Sequence, residues 1–572
     1  MRRMKRVLLV CAIAACANHH SSGDDTAGAT LTISPPTSEL MILNGVAATE
    51  DFTATLTHAD GTTEDVTANT TFAIDATYGA FSAATLSMTV AGKAQVNATA
   101  QGVTGTAEVI ARLKSVRFGT GVDPNAPSWF SMPEDASHAP SIAYPPVGVI
   151  VPRNLGDLDV HWIDASSDDT FEVSLVSEFA DVRAYVHGGN GLPDATASWI
   201  ELTAQEWTDA AGADSAITID VRGVNSANPV TVGSAPAQTI ALSNEPLLGG
   251  LYYWSTASVS GVYGIFRHDM SLPGQPAQEF MTTDQTAGRC VACHVLSKDG
   301  KEMAVTFDGG GKPATMVDVA SSTQQPVSAS WNFGTFSPDG TQFLSVEAGV
   351  LVARDYATQA VLATAVSDGW ITHPDLSPDG TELVYVRPTV PNCDWAFGGG
   401  QIYTRSYDQT THAFGVENVL VADASNNYYP SWSPDGQWIV FNKSADNSGN
   451  GAYNNPSASL WVIAANGQSP AIELAAANSA ANLTNSWGRW APFAQTVGAG
   501  NEPIYWITTS SKRDFGTRLV GAQLPQIWMT PFFPGRATTG QDPSAPAFWL
   551  PFQAIDSRNH IAQWTQHVVV VQ

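Results

Sequence analysis

The sequence predicts an all-β chain that ends in a radial array of small sheets, and three observations carry that expectation. The tetrapeptide Ser-Pro-Asp-Gly recurs as Ser337-Pro338-Asp339-Gly340, Ser377-Pro378-Asp379-Gly380 and Ser433-Pro434-Asp435-Gly436, with Ser297-Lys298-Asp299-Gly300 as a degenerate copy. Each copy runs into an alternating apolar strand: Met303-Ala304-Val305, Phe343-Leu344-Ser345-Val346, Leu383-Val384-Tyr385-Val386 and Trp438-Ile439-Val440-Phe441. Thr, Val, Trp, Gly and Pro are abundant, and helical periods are few. The tetrapeptide reads as a hairpin turn: Ser accepts a local hydrogen bond, Pro presets φ, Asp tolerates the bridge region and Gly takes the left-handed corner. One such turn per propeller blade gives a propeller.

The amino end reads as an export signal. Arg2, Arg3, Lys5 and Arg6 precede Val7–Ala15, an apolar run too short to span a bilayer. Ile13-Ala14-Ala15-Cys16 resembles the lipobox of bacterial lipoproteins. The resemblance implies that residues 1–15 are removed and that Cys16 is acylated. Ala17 in place of an inner-membrane retention Asp implies the outer membrane. Residues 16–30, rich in His, Ser, Asp and Gly, then form a flexible tether.

The formal charge is −27, and losing Arg2, Arg3, Lys5 and Arg6 takes the mature chain to about −31. So acidic a surface argues against nucleic acid and against anionic lipid as partners, which leaves the lipid as the sole membrane contact. Beyond Cys11 and Cys16 the chain has only Cys290, Cys293 and Cys393, an odd number for an oxidising compartment.

Residues 31–113 open with Leu31-Thr32-Ile33-Ser34-Pro35, continue through Phe52-Thr53-Ala54-Thr55-Leu56 and close with Ala91-Gly92-Lys93-Ala94-Gln95-Val96. They resemble a group 2 bacterial immunoglobulin-like domain, a family of spacers and adhesive units. A Pro-rich stretch, 114–146, reads as a linker. Residues 147–243 carry strand patterns at Val160-His161-Trp162, Phe171-Glu172-Val173-Ser174-Leu175 and Ile217-Thr218-Ile219-Asp220-Val221, and resemble a fibronectin type III-like sandwich. His161 and Trp162 read as packing.

From 249 to 572 the turns and strands resemble the TolB-like β-propellers, which carry the same turn in each blade. Leu251-Tyr252-Tyr253-Trp254 opens the first blade, the four turns mark the next four, and Trp487-Gly488-Arg489-Trp490 starts a divergent last one. The expectation is six blades, within a range of five to seven. Two insertions, Pro391–Gly400 and Asp446–Asn455, swell blades on loops where ligands usually meet a propeller.

Cys290-Val291-Ala292-Cys293-His294 has the spacing of c-type haem attachment, two thioethers and an axial His. Two other readings stand beside haem: a disulfide within the motif or to Cys393, and a metal site of Cys290, Cys293, His294 and His373. Counting back from the turns aligns Cys293, His373 and Tyr429 in their blades. In TolB-like propellers the strand entering the turn is innermost, so the resemblance implies a ring of Cys293, His294, Asn332, His373, Tyr429 and Arg489 at one mouth of the channel. No G-x-S-x-G, H-E-x-x-H or Walker loop is present, and Gly309-Gly310-Gly311-Lys312 reads as a hairpin tip. The expected protein is a lipoprotein whose propeller binds an envelope protein or glycan, with a haem c redox protein as the alternative.

Overall fold

Period-two burial shapes residues 28–112. In the strand Gly92–Ala100 every second residue is buried, and small Ala94, Ala98 and Ala100 let the facing layer approach closely. Phe52, Phe72 and Phe81 fill that core, their ring centroids 5.4–6.4 Å apart. The computed structural model describes residues 28–568 except 190–191, 213, 257–260, 450, 454, 481–482 and 522–523. The expected signal peptide (1–15), Cys16 and most of the tether therefore lie outside the described residues. By density of contacts the chain forms two units, one containing residues 46–112 and the other 113–572.

The second unit begins earlier than the sequence suggests. The stretch 114–146 is folded, not a free linker. Leu113–Phe118 pairs in parallel with Ala180–Tyr185, and Val122, Ala126 and Phe130 are buried beside Tyr185 and Val224. Two sheets face each other, one built on Ser141–Tyr144, Leu158–Ile163 and Ala197–Leu202, the other on Thr170–Val176 between Ala180–His187 and Ala216–Val224. Buried Glu172 is satisfied by Arg183 (3.0 Å), the Tyr185 hydroxyl (2.7 Å) and Arg222 (3.0 Å). A two-turn helix, Ala204–Ala211, interrupts the strands. Its Thr203 and Glu206 form a capping box, and buried Trp207 donates to the Arg153 carbonyl at 2.8 Å.

Six four-stranded sheets follow. The innermost strands of blades two to six are Val291–Leu296, Phe333–Phe336, Thr372–Leu376, Asn426–Trp432 and Ser486–Val497. Blade one is completed out of order: Arg558–Thr565, from the far end of the chain, pairs with Gly250–Thr256 and supplies its inner strand. The four turns join the first and second strands of blades two to five. In each, the Gly N–H donates to the Ser carbonyl at 2.9–3.0 Å, and Gly300, Gly340, Gly380 and Gly436 have φ of 68–75°. The Ser hydroxyl donates to the Asp carboxylate and accepts from the backbone N–H five residues on, at 2.9–3.0 Å. The Asp is thus a structural anchor of the turn.

The second sandwich docks on blades one and six. Asn154 ties Leu247 and Met270 (2.7–2.9 Å), and Arg518 pairs with Asp159 at 2.6 Å while lying over Trp199. Phe515, fully buried, packs among Tyr144, His161 and Trp549. His161 is inaccessible and accepts the Thr517 N–H at Nδ1 (3.1 Å), so its packing role is that of a domain joint.

Candidate functional site

The central channel gathers the residues singled out by register. Two residues oppose one at the start of the inner strand in blades four, five, six and one, and the first of each pair is left-handed: His373, Tyr429, Trp487 and Ile561, with φ of 48–54°. Such bulges re-aim a side chain. In blade two the bulge shifts by one residue, and blade three has none.

The re-aimed rings form a continuous layer. Phe333 meets His373 edge-on, His373 stacks on Tyr429, and Tyr429 stacks on Trp487, each at 4.2 Å between centroids. Tyr453, from the second insertion, extends the layer to Trp487 (5.3 Å) and His560 (4.8 Å). In blade three the residue equivalent to His373 is Phe333, while Asn332 stands one position earlier. Asn332 donates Nδ2 to the buried carboxylate of Asp394, which also accepts from Gly349 N (3.0 Å) and Trp370 Nε1 (2.7 Å). Asp394 thereby pins the first insertion to blades three and four. Gly310 lies so close that a Cβ there would meet Asn332 Oδ1 at 2.2 Å, which is why this hairpin tip is glycine.

Three cavities that share walls lie along the ring. On the insertion side an apolar funnel of about 270 Å³ is walled by Trp254, Phe333, Trp395, Tyr453, Trp487 and Ile561. Trp395 is 47% exposed at its rim. Behind the aromatic layer is a small chamber of about 60 Å³. Cys293, His294, Asn332, His373, Tyr429 and Arg489 all line that chamber, together with Thr335, Asp375, Ser431 and Gln563. On the turn side lies a third cavity of about 220 Å³, bordered by Lys298, Arg489, Trp432, Trp490 and Trp564.

Within the chamber Asp375 is held by three donors from neighbouring blades: Thr335 Oγ1 (3.3 Å), Ser431 Oγ (2.9 Å) and Trp432 N (2.9 Å). His373 accepts the Tyr429 N–H at Nδ1 (3.2 Å). Burial, and then the charge of Arg489, hold its pKa well below the ordinary value. Burial likewise lowers Arg489 and raises Tyr429, so the imidazole and phenol are neutral.

Only part of the Cys-x-x-Cys-His motif reaches the cavities. Cys293 and His294 line the chamber, whereas Cys290 borders none of the three cavities and stands by Asp308, itself paired with Arg289 at 3.3 Å. All three downstream cysteines are free thiols. Burial pushes the Cys293 thiol up to about 11, which disfavours the thiolate a metal needs. Among the described residues no three His, Cys, Asp or Glu side chains are grouped to hold a metal ion, so Cys290, Cys293, His294 and His373 do not form one ligand set. A macrocycle wants a pocket of roughly 300–1,000 Å³. The chamber that Cys293 and His294 share is far smaller, and of the two only Cys293 also borders the funnel of about 270 Å³.

Sequence reasoning missed Phe333, Asp375, Trp395, Tyr453 and Trp487. Counting strictly four residues back from each turn finds Phe333, and two back finds Asp375, beside Arg489.

No family model matches the chain, and no curated protein matches it. Among solved structures it is similar to TolB from Acinetobacter baumannii, at 13% identity over 64% of this chain and 85% of that one, with a TM-score of 0.38. It is also similar to a putative TolB from Agrobacterium tumefaciens (13% identity, 56% and 99% covered, TM-score 0.31). An oligogalacturonate lyase in complex with manganese matches at 17% identity, 53% and 75% covered, with a TM-score of 0.30. These likenesses carry no argument by themselves, and the sheet order, the late-closing first blade and the repeated turns define the fold from within: the chain is an all-β protein built around a six-bladed β-propeller.

Proposed function

We propose that this is an envelope lipoprotein, anchored to the outer membrane through Cys16, whose propeller is a binding module for a protein partner. The observation that carries the reading is the aromatic funnel. Both insertions feed it, Trp395 from one and Tyr453 from the other, and Asp394 holds the first rigidly in place. Exposed aromatics around a preformed pocket are the anchor sites of protein interfaces. The funnel's accessible lining is apolar, dominated by aromatic rings. An apolar side chain of a protein suits such a lining. Haem has weaker support, because Cys290 borders none of the cavities that Cys293 and His294 line.

The test is a photo-crosslinking residue at position 395 in the full chain within cells. Crosslinks to a defined protein, lost when Trp487 is changed to Ala, are expected. Equal crosslinking from position 437, on the turn side, would refute the funnel. Cys16→Ser should abolish palmitate labelling and release the protein from membranes.

A further inference from the structure

We infer that the chamber behind the aromatic layer binds a carboxylate group, which enters from the turn side of the ring. Three donors that line it lack an acceptor. His373 is 3% exposed, and because Nδ1 accepts from Tyr429 N, its proton is on Nε2, which has no partner. The Tyr429 hydroxyl, on a residue 1% exposed, also has none. The Arg489 guanidinium makes a single hydrogen bond, to the carbonyl of Gly488 at 3.0 Å, and among the described residues it makes no ion pair. A buried donor without an acceptor is costly, and half-buried Arg489 adds a cation whose remaining N–H groups are unspent.

The one carboxylate in the chamber does not relieve them. Asp375 spends its oxygens on Thr335, Ser431 and Trp432, and forms no ion pair with Arg489. Its charge moderates the field without supplying an acceptor to His373 or Tyr429. The missing partner is a compact group with several lone pairs, and an ionised carboxylate offers about four. At about 60 Å³ the chamber has room for roughly four water-sized positions, enough for a carboxylate and the start of a stem.

The approach suits an anion as well. The chain carries −27 overall, yet the turn-side mouth is bordered by both Lys298 and Arg489. Asp299, which also borders it, is paired with Lys301 at 2.7 Å. Trp432, Trp490 and Trp564 with Pro338, Pro378 and Pro434 offer an apolar wall to whatever stem follows. A free short-chain acid and the C-terminal carboxylate of a peptide share this chemistry.

The experiment titrates the full chain in a carboxylate-free buffer of low ionic strength and follows tryptophan fluorescence and heat. Propionate is compared with propionamide, and a tripeptide with its C-terminal amide. Saturable binding of the acids but not the amides is expected, weakened about 10–100-fold in Arg489→Gln. Binding of propionate identifies a free acid as sufficient, and binding of the tripeptide alone identifies a peptide terminus. No binding by either acid, or equal binding of acid and amide, overturns the site. The acid-against-amide comparison uses the unaltered protein, so a variant that fails to fold leaves the result decisive.

Discussion

Gly516 shows how much one residue can decide. It has φ of 48°, and a Cβ there would meet His161 Nδ1 at 2.0 Å. The neighbouring Thr517 N–H must reach the same nitrogen, so the sandwich and propeller meet around a position that has no room for a side chain. Gly516→Ala is expected to destabilise the second unit by about 1–3 kcal/mol, read as a lower denaturation midpoint, with earlier protease cleavage near residue 515. Local sequence holds no sign of this. The run 510–516 has no periodicity, because its partners Tyr144 and His161 lie hundreds of positions away. The channel residues were more legible: the turns fix the register of His373, Tyr429 and Cys293, whereas Trp487 gains its role only once a bulge turns its ring onto Tyr429, and Phe333 only once the bulge of the next blade brings His373 against it.

Among the elements, the turn is the unit that repeats. Ser433 Oγ both donates to Asp435 and accepts from Trp438 N at 2.9 Å, and the residue is wholly buried. Ser433→Ala strands that amide and should cost about 1–2 kcal/mol in denaturant unfolding. Ser297→Ala, in the degenerate copy, should cost a similar amount, since the same bonds form there at 2.8 and 3.0 Å. A much smaller loss at Ser297 would show that proline, absent there, carries the turn. These bonds are why the propeller could be read from four short words. The stretch 114–146 misled for the opposite reason: its prolines suggest a linker, while Val122, Ala126 and Phe130, four residues apart about the single helical turn Ala126–Trp129, are too short a run to read as a helix and are buried by tertiary packing.

Across the whole molecule, buried histidines set the response to acid. Burial holds His161, His268, His373 and His560 below their ordinary pKa, with His268 at about 4 and His560 at about 3. In the unfolded chain each titrates near 6.5. Above that pH they contribute no pH dependence. As pH falls below it, the unfolded state takes up protons that the folded state refuses, and stability declines until the folded pKa is reached. His268 alone accounts for about 3 kcal/mol between pH 7 and pH 4. Thermal midpoints should fall steeply over this range, and less so in His268→Phe, which keeps the stack on Phe552. An unchanged slope in that variant would remove His268 from the account.

The first blade waits for the last strand. Gly250–Thr256 is made some three hundred residues before Arg558–Thr565, the segment that completes its sheet. Until that segment docks, the folding ring carries an open edge, with unpaired N–H and C=O groups on Gly250–Thr256. Closure is a late, long-range event, and until then the chain is exposed to pairing with other copies of itself. Folding copies that meet before residues 558–565 have docked are expected to pair through that edge.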